Sequence, residues 1–355
     1  MLKQLRFTLR HGLRLLVYGT IGAVLTLVTV LVQNLENRDG LEVWHRADLD
    51  QEFTAESGLS SFSEYLELED RLFRQLDELV YQKTGPADTD RINRYKRNSL
   101  SDPERWPRNW NRSYELPLGA PRASVLLLHG LSDSPYSLHS LALRLNENDL
   151  HVRGLRAPGH GTAPSGLVNV TWQDMAAAVR LAMLHLAEQH GDRPIHIVGY
   201  SNGATLAVQY ALSTLDDPTL PPVDSLVLLS PGIGITPVAA LAIWQARLGR
   251  LLGLEKLAWN SILPEYDPYK YGSFAINAGN LSYRLTAEIQ NQIDALQENG
   301  KISAMPRVLA FSSVVDSTVL APALISNLFN RLPAGGHELI LFDINVQARI
   351  EPLLH

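Results

Sequence analysis

Residues 195–203 read Ile195-His196-Ile197-Val198-Gly199-Tyr200-Ser201-Asn202-Gly203. A short apolar run ends in a G-x-S-x-G pentapeptide. The run from Ala204 to Leu212 that follows is helix-forming. A chain passing from strand to helix over so few residues must turn sharply. Small residues two before and two after the serine relieve the crowding. Such a turn lifts the serine hydroxyl from the carboxyl edge of a sheet, and the helix N-terminus behind it favours developing negative charge. The segment reads as a nucleophile elbow, with Ser201 as nucleophile and Gly199 and Gly203 as its flanks. A Gly-rich turn that only packs a helix on a sheet can show the same five letters. The strand before and the helix after favour the elbow.

Outward from the elbow, short apolar runs alternate with helical patterns. Strands are expected at 124–128, 151–155, 195–199, 225–229, 307–311 and 338–342, and helices at 136–145, 171–190, 202–212 and 320–330. Strand, helix, strand with apolar strands marks an α/β fold with a mostly parallel sheet, helices on both faces. Residues 231–300 break the rhythm. This long, mostly helical interval, rich in Leu, Trp and Tyr, reads as a cap over a site. Its apolar residues Ile233, Ile235, Leu241, Trp244, Leu248, Leu251, Leu252 and Trp259 suit either an apolar ligand or the cap's own core. The first strand ends in Leu128-His129-Gly130-Leu131. A glycine there lets the loop pass close to Ser201, and the backbone N–H groups of Leu131 and Asn202 are the candidate oxyanion donors. His129 precedes the serine in the chain and reads as a structural hydrogen-bonder.

His129-Gly130, then Pro158-Gly159-His160-Gly161 with Pro164, then Gly199-Tyr200-Ser201-Asn202-Gly203, resemble the monoglyceride lipase, lysophospholipase and carboxylesterase branch of the α/β hydrolases. That branch includes the group with a serine aminopeptidase-like domain. The resemblance covers roughly residues 121–345. It implies the α/β-hydrolase fold with a helical cap, a Ser–Asp–His triad, hydrolysis of acyl esters and no cofactor.

The triad acid should follow a late strand, and Asp316 lies in the loop after 307–311; an N-cap role for the helix after it is the bland alternative. The base is harder to place. His337 opens the last strand, at the wrong edge of a parallel sheet. Only His355 comes later, as the last residue. Either His355 is the base, or the sequence stops short of it. The second reading is favoured, because a base needs a fixed position and free termini are poorly ordered.

The chain has 355 residues, no cysteine and a net charge of -6. The missing cysteines exclude disulfides, thiolate catalysis and Cys-ligated zinc. The acidic balance gives no reason to expect nucleic acid. The histidines show no metal-binding pairing. Residues 1–35 read as a membrane anchor. Leu15 to Val32 carries no charge, Lys3, Arg6, Arg10 and Arg14 precede it, and no cleavage site follows. A transmembrane helix is expected, with the N-terminus cytoplasmic and the rest extracytoplasmic, periplasmic if the source is bacterial.

Residues 36–120 form a connecting region. Ser61 to Val80 reads as an amphipathic helix with a Ser61/Glu64 capping box and an acidic polar face that includes Glu69. Residues 91–112 mix arginine with Tyr95, Trp106 and Trp110. They read as irregular chain laid over the domain with solvated Arg heads, in preference to a lipid-headgroup contact. The expectation is a membrane-anchored serine hydrolase acting on a small acyl ester or lipid. The alternatives are an aminopeptidase, with Glu255, Glu265 or Asp267 binding an α-amino group, and a non-catalytic binding domain that kept the fold.

Overall fold

The computed structural model describes residues 2–85, 91–234, 254–315 and 321–343. Contacts divide the chain into two compact units, Met1–Leu41 and Glu42–His355. The first contains one long helix, α1 (Leu2–Glu36). The hydroxyls of Thr20, Thr26 and Thr29 donate to the carbonyls four residues back, at 2.8, 2.9 and 2.9 Å. These three hydroxyls are thereby satisfied within the helix. Among the described residues no helix is long and apolar enough to cross a membrane. That statement leaves out Val24, Leu27, Val28 and Leu31, whose side chains are not described. The fold therefore does not establish the transmembrane helix expected at 15–32.

The second unit contains the strands β1 (Tyr114–Leu116), β2 (Ala123–Leu128), β3 (Leu150–Leu155), β4 (Ile195–Tyr200), β5 (Ser225–Leu229), β6 (Trp259–Ser261), β7 (Phe274–Ala275), β8 (Arg307–Ser313) and β9 (Glu338–Phe342). Seven of them form one sheet in the order β1-β3-β2-β4-β5-β8-β9, and β6 and β7 pair separately. Within the large sheet β1 is antiparallel to β3 and every other pairing is parallel. Every residue of β2 and β3 is buried, so both faces of the sheet are covered there. The main helices of this unit are α2 (Phe62–Leu76), α3 (His139–Asn146), α4 (Trp172–His190), α5 (Asn202–Asp216), α6 (Ile276–Glu298) and α7 (Ala321–Asn327). The six expected strands appear within two residues of the positions read from sequence. β1 and the β6–β7 pair were not foreseen.

The expected cap is only partly described, and residues 235–253, including Ile235, Leu241, Trp244, Leu248, Leu251 and Leu252, lie outside the described residues. What is described mixes a long helix with extended chain. β6 and β7 are extended, and α6 runs against α5. Ile233 and Trp259 are buried, and Trp259 meets the His45 ring edge-on at 4.8 Å.

Helix α2 carries the expected capping box: Glu64 N–H donates to Ser61 Oγ at 3.2 Å, and Ser61 N–H donates to Glu64 Oε2 at 3.0 Å. Glu69 departs from the acidic-face reading. It is buried, and it takes the Ser113 N–H at 2.9 Å, the Ser113 hydroxyl at 2.8 Å and Arg156 Nε at 3.0 Å. Arg156, just after β3, also donates two bonds to Glu52, at 3.0 and 2.9 Å. Glu52 Oε2 accepts the Gly159 N–H at 2.8 Å. A buried guanidinium thus holds two carboxylates from the connecting region against the Pro158–Gly161 turn. The pairing is favourable because every oxygen in it has a donor.

Arg94 corrects the solvated-Arg reading. It is buried, donates to Asn111 Oδ1 at 3.2 Å and to Gly161 O at 3.4 Å, and lies over the rings of Tyr95 and Tyr271.

Replacing Arg156 with alanine leaves buried Glu69 and half-buried Glu52 without their cation. The expected loss is about 3–5 kcal/mol in urea unfolding. Arg144→Ala, which removes an exposed pair with Glu147, should cost less than about 1 kcal/mol.

Candidate active site

β4 ends at Tyr200 and α5 begins at Asn202, so Ser201 alone makes the turn between them. Its backbone sits at φ 52° and ψ −114°. A non-glycine residue rarely adopts this conformation, and holding one there costs on the order of 1–3 kcal/mol. The surroundings enforce it. Ser201 N–H donates to Leu229 O at 2.9 Å, extending the β4–β5 ladder. Ser201 O accepts N–H groups from Ala204, Thr205 and Gly232 at 3.1, 3.2 and 3.2 Å.

The flanking glycines are required by close packing. A Cβ on Gly199 would lie closer than 3.0 Å to the backbone of Ala204 and Gly203, and one on Gly203 would strike the carbonyls of Leu128 and His129. α5 is thereby pressed against the end of β2. The sequence continues from β2 to β3 on one side and from β4 to β5 on the other. Ser201 and the loop His129-Gly130-Leu131 therefore meet at the carboxyl edge where the strand order reverses, the usual place for a ligand in an open α/β sheet.

The loop after β2 is tightly held. A Cβ on Gly130 would lie 2.8 Å from Asp133 Oδ2 and 2.9 Å from the Tyr200 ring. Ser132, next to Leu131, has φ 63°. Its carbonyl takes the Tyr271 N–H at 2.8 Å, Asp133 pairs with Lys270 at 3.4 Å, and Tyr136 stacks on Tyr269 at 3.9 Å. Asp133 is buried, and burial raises its carboxyl above the usual range despite Lys270. Sequence reading passed over Asp133, although its place three residues after Gly130 in the same loop was a usable signal. Asn202 is the first residue of α5, and the first N–H groups of a helix have no intrahelical partner. Its side chain accepts the Ser282 hydroxyl at 3.2 Å.

His129 and His160 lie at this edge, and both are tied to backbone. His129 Nε2 accepts the Ala157 N–H at 3.0 Å, so its Nδ1 carries the proton and donates to Gly130 O at 2.8 Å. Burial holds its pKa well below the usual value, and burial likewise brings His160 down to about 4. His160 Nδ1 donates to Pro158 O at 2.9 Å. Among the described residues no histidine bonds the Ser201 hydroxyl. His337 precedes β9 at the amino edge, because Glu338 pairs in parallel with Leu309 of β8. Asp316 and His355 lie outside the described residues. Glu255 pairs with Arg46 at the surface, at 2.9 Å. Glu265 is fully buried and accepts the N–H groups of Gly272 and Ser273. Asp267 accepts those of Tyr269 and Lys270. No described cluster of His, Asp and Glu is placed to hold a metal.

Residues 119–342 match the family described as "Serine aminopeptidase, S33". Solved structures with a similar fold include a monoacylglycerol lipase from Paleococcus ferrophilus, 18% identical over 68% of this chain and 92% of that one, with a TM-score of 0.49. A soluble variant of the Saccharomyces cerevisiae monoglyceride lipase, solved with a substrate analogue, is 14% identical over 65% and 82%, with a TM-score of 0.49. A thermostable carboxyl esterase from Bacillus coagulans, solved with glycerol, is 15% identical over 68% and 95%, with a TM-score of 0.45. Among curated proteins none matches.

Glycine at position 201 should relieve the backbone strain, whereas alanine keeps it. Ser201→Gly is expected to unfold at higher urea than Ser201→Ala, by about 1 kcal/mol. Equal stability of the two variants would contradict strain at this turn.

Proposed function

The chain belongs to the serine aminopeptidase S33 family of α/β hydrolases, and on that premise we propose that it is a serine hydrolase cleaving carboxylic esters through an acyl-enzyme on Ser201. The observation that carries the reading is the strained backbone of Ser201 between two glycines that admit no side chain. Ser201 attacks the acyl carbonyl, and the N–H groups of Leu131 and Asn202 take the oxyanion. A histidine accepts the serine proton and passes it to the leaving alcohol, and water then releases the acid. We assign the acid role to Asp316. His129 and His160 are committed to backbone groups, and His355 is the candidate base within this sequence, the alternative being a histidine that the sequence stops short of.

The aminopeptidase alternative requires a carboxylate free to bind an α-amino group. Residues 231–264 contain one acidic residue, Glu255, and it is paired with Arg46. Glu265 and Asp267 are spent on backbone N–H groups. This favours an ester whose acyl side carries no α-ammonium group. The non-catalytic alternative gives the strain at Ser201 no role.

Fluorophosphonate labelling of the full chain tests the mechanism. Label should attach to the parent chain, and Ser201→Ala should abolish both labelling and ester hydrolysis. If His355 is the base, His355→Ala should slow both by about 10³-fold or more.

We further propose that residues 15–32 anchor the chain in a membrane, with the N-terminus cytoplasmic and the second unit extracytoplasmic. The uncharged stretch is helical throughout, and Leu15, Leu16, Ile21 and Leu25 are exposed along it. Four basic residues precede it. The expected outcome is retention in the membrane pellet after alkaline carbonate. Release into the supernatant would remove the anchor.

A further inference from the structure

The second unit exposes a belt of apolar side chains beside the site. Ile92 is 53% exposed, Leu100 54%, Trp106 39%, Tyr136 42% and Tyr266 63%. They come from three stretches of the chain, which hydrogen bonds and ring contacts bring together. Leu100 N–H donates to Arg91 O, next to Ile92, at 2.8 Å, and Arg94 N–H donates to Glu265 O, next to Tyr266, at 2.8 Å. The Ser101 hydroxyl donates to Tyr266 O. Tyr269 bridges Trp106, at 5.7 Å, and Tyr136, at 3.9 Å.

Arg91, Arg105 and Arg108 are exposed on the same stretches. Among the described residues none of the three pairs with a carboxylate. Arg105 donates to Ser99 O, and Arg108 lies over the Trp110 ring. Glu104, which accepts from Asn109, is the one exposed carboxylate among the described residues 91–108. A chain of net charge -6 thus shows a net cationic face here, interleaved with aromatic and aliphatic groups. Continuous apolar exposure on a folded domain marks an interaction surface. Tryptophan and tyrosine suit the bilayer interface, and arginine suits anionic headgroups.

We propose that this belt rests on an anionic phospholipid membrane surface. The charge complementarity selects lipid, with Trp106 and Tyr136 entering the interface and the three arginines meeting phosphates. Tyr136 follows the loop that carries Leu131, so docking brings lipid to the sheet edge that holds Ser201. The proposal does not depend on the hydrolytic reading.

The absence of cysteine allows a single fluorescent label at Trp106→Cys, at Tyr136→Cys, or at Glu188→Cys on α4 as control, each in the full chain. The labelled chains are reconstituted with vesicles of phosphatidylglycerol and brominated phosphatidylcholine. Labels at 106 and 136 should be quenched, the control should not, and high salt should weaken the quenching. Changing Arg91, Arg105 and Arg108 together to glutamine should lower the docked-to-undocked ratio on the order of 100-fold. Turnover of a short soluble ester should survive that change. Quenching at 106 and 136 no greater than at the control overturns the proposal. Loss of turnover in Ser201→Ala with quenching intact keeps the two readings separate.

Discussion

Backbone carbonyls of β2 occupy the space where a side chain on Gly203 would have to be. Much of the site follows from that contact. Because α5 can approach β2 so closely, β4 can hand over to the helix through one residue, and that residue is forced into a conformation serine rarely adopts. The same approach brings the first N–H of α5 to the sheet edge reached by the loop after β2. The Ser201 turn and the N–H groups proposed as oxyanion donors are therefore placed by packing between rigid elements, the arrangement that would let them act without reorganising.

The loop after β2 depends on a partner distant in sequence. Residues 269–271 contact it by backbone, ion pair and ring stack. Ser132 stays in a left-handed conformation within that frame. Movement of the segment that returns from the expected cap would disturb the donor side of the site directly. On the proposed mechanism, the returning segment and the oxyanion geometry would be mechanically linked.

The elbow was legible because its signal is local: five residues, a strand before and a helix after. The sheet strands were legible because most carry short apolar runs, as in Val125–Leu128 of β2 and Leu226–Leu229 of β5, although β3 also holds His151 and Arg153. β1 was not, since it has three residues, ends just before Pro117 and is defined by pairing with β3. β6 and β7 are shorter still relative to the loop between them. Glu69 and Arg94 were misread as solvated because a charged residue on a helix or loop looks the same in sequence whether or not a distant partner covers it. Arg156, which pairs with Glu69, and Gly161 and Tyr271, which meet Arg94, lie far along the chain. The strain at Ser201 could be expected from the motif, but the number of hydrogen bonds enforcing it depends on Leu229 and Gly232, which only the fold brings near.

The family match begins at residue 119, yet the buried charge of Arg156 is balanced by Glu52 and Glu69. Ancestry and autonomy thus have different borders in this molecule. A fragment cut where the family begins would carry a bare guanidinium at the foot of the turn that follows β3. The upstream segment acts as an intramolecular counterion, and a swap of this hydrolase unit into another scaffold would have to bring those two acids with it.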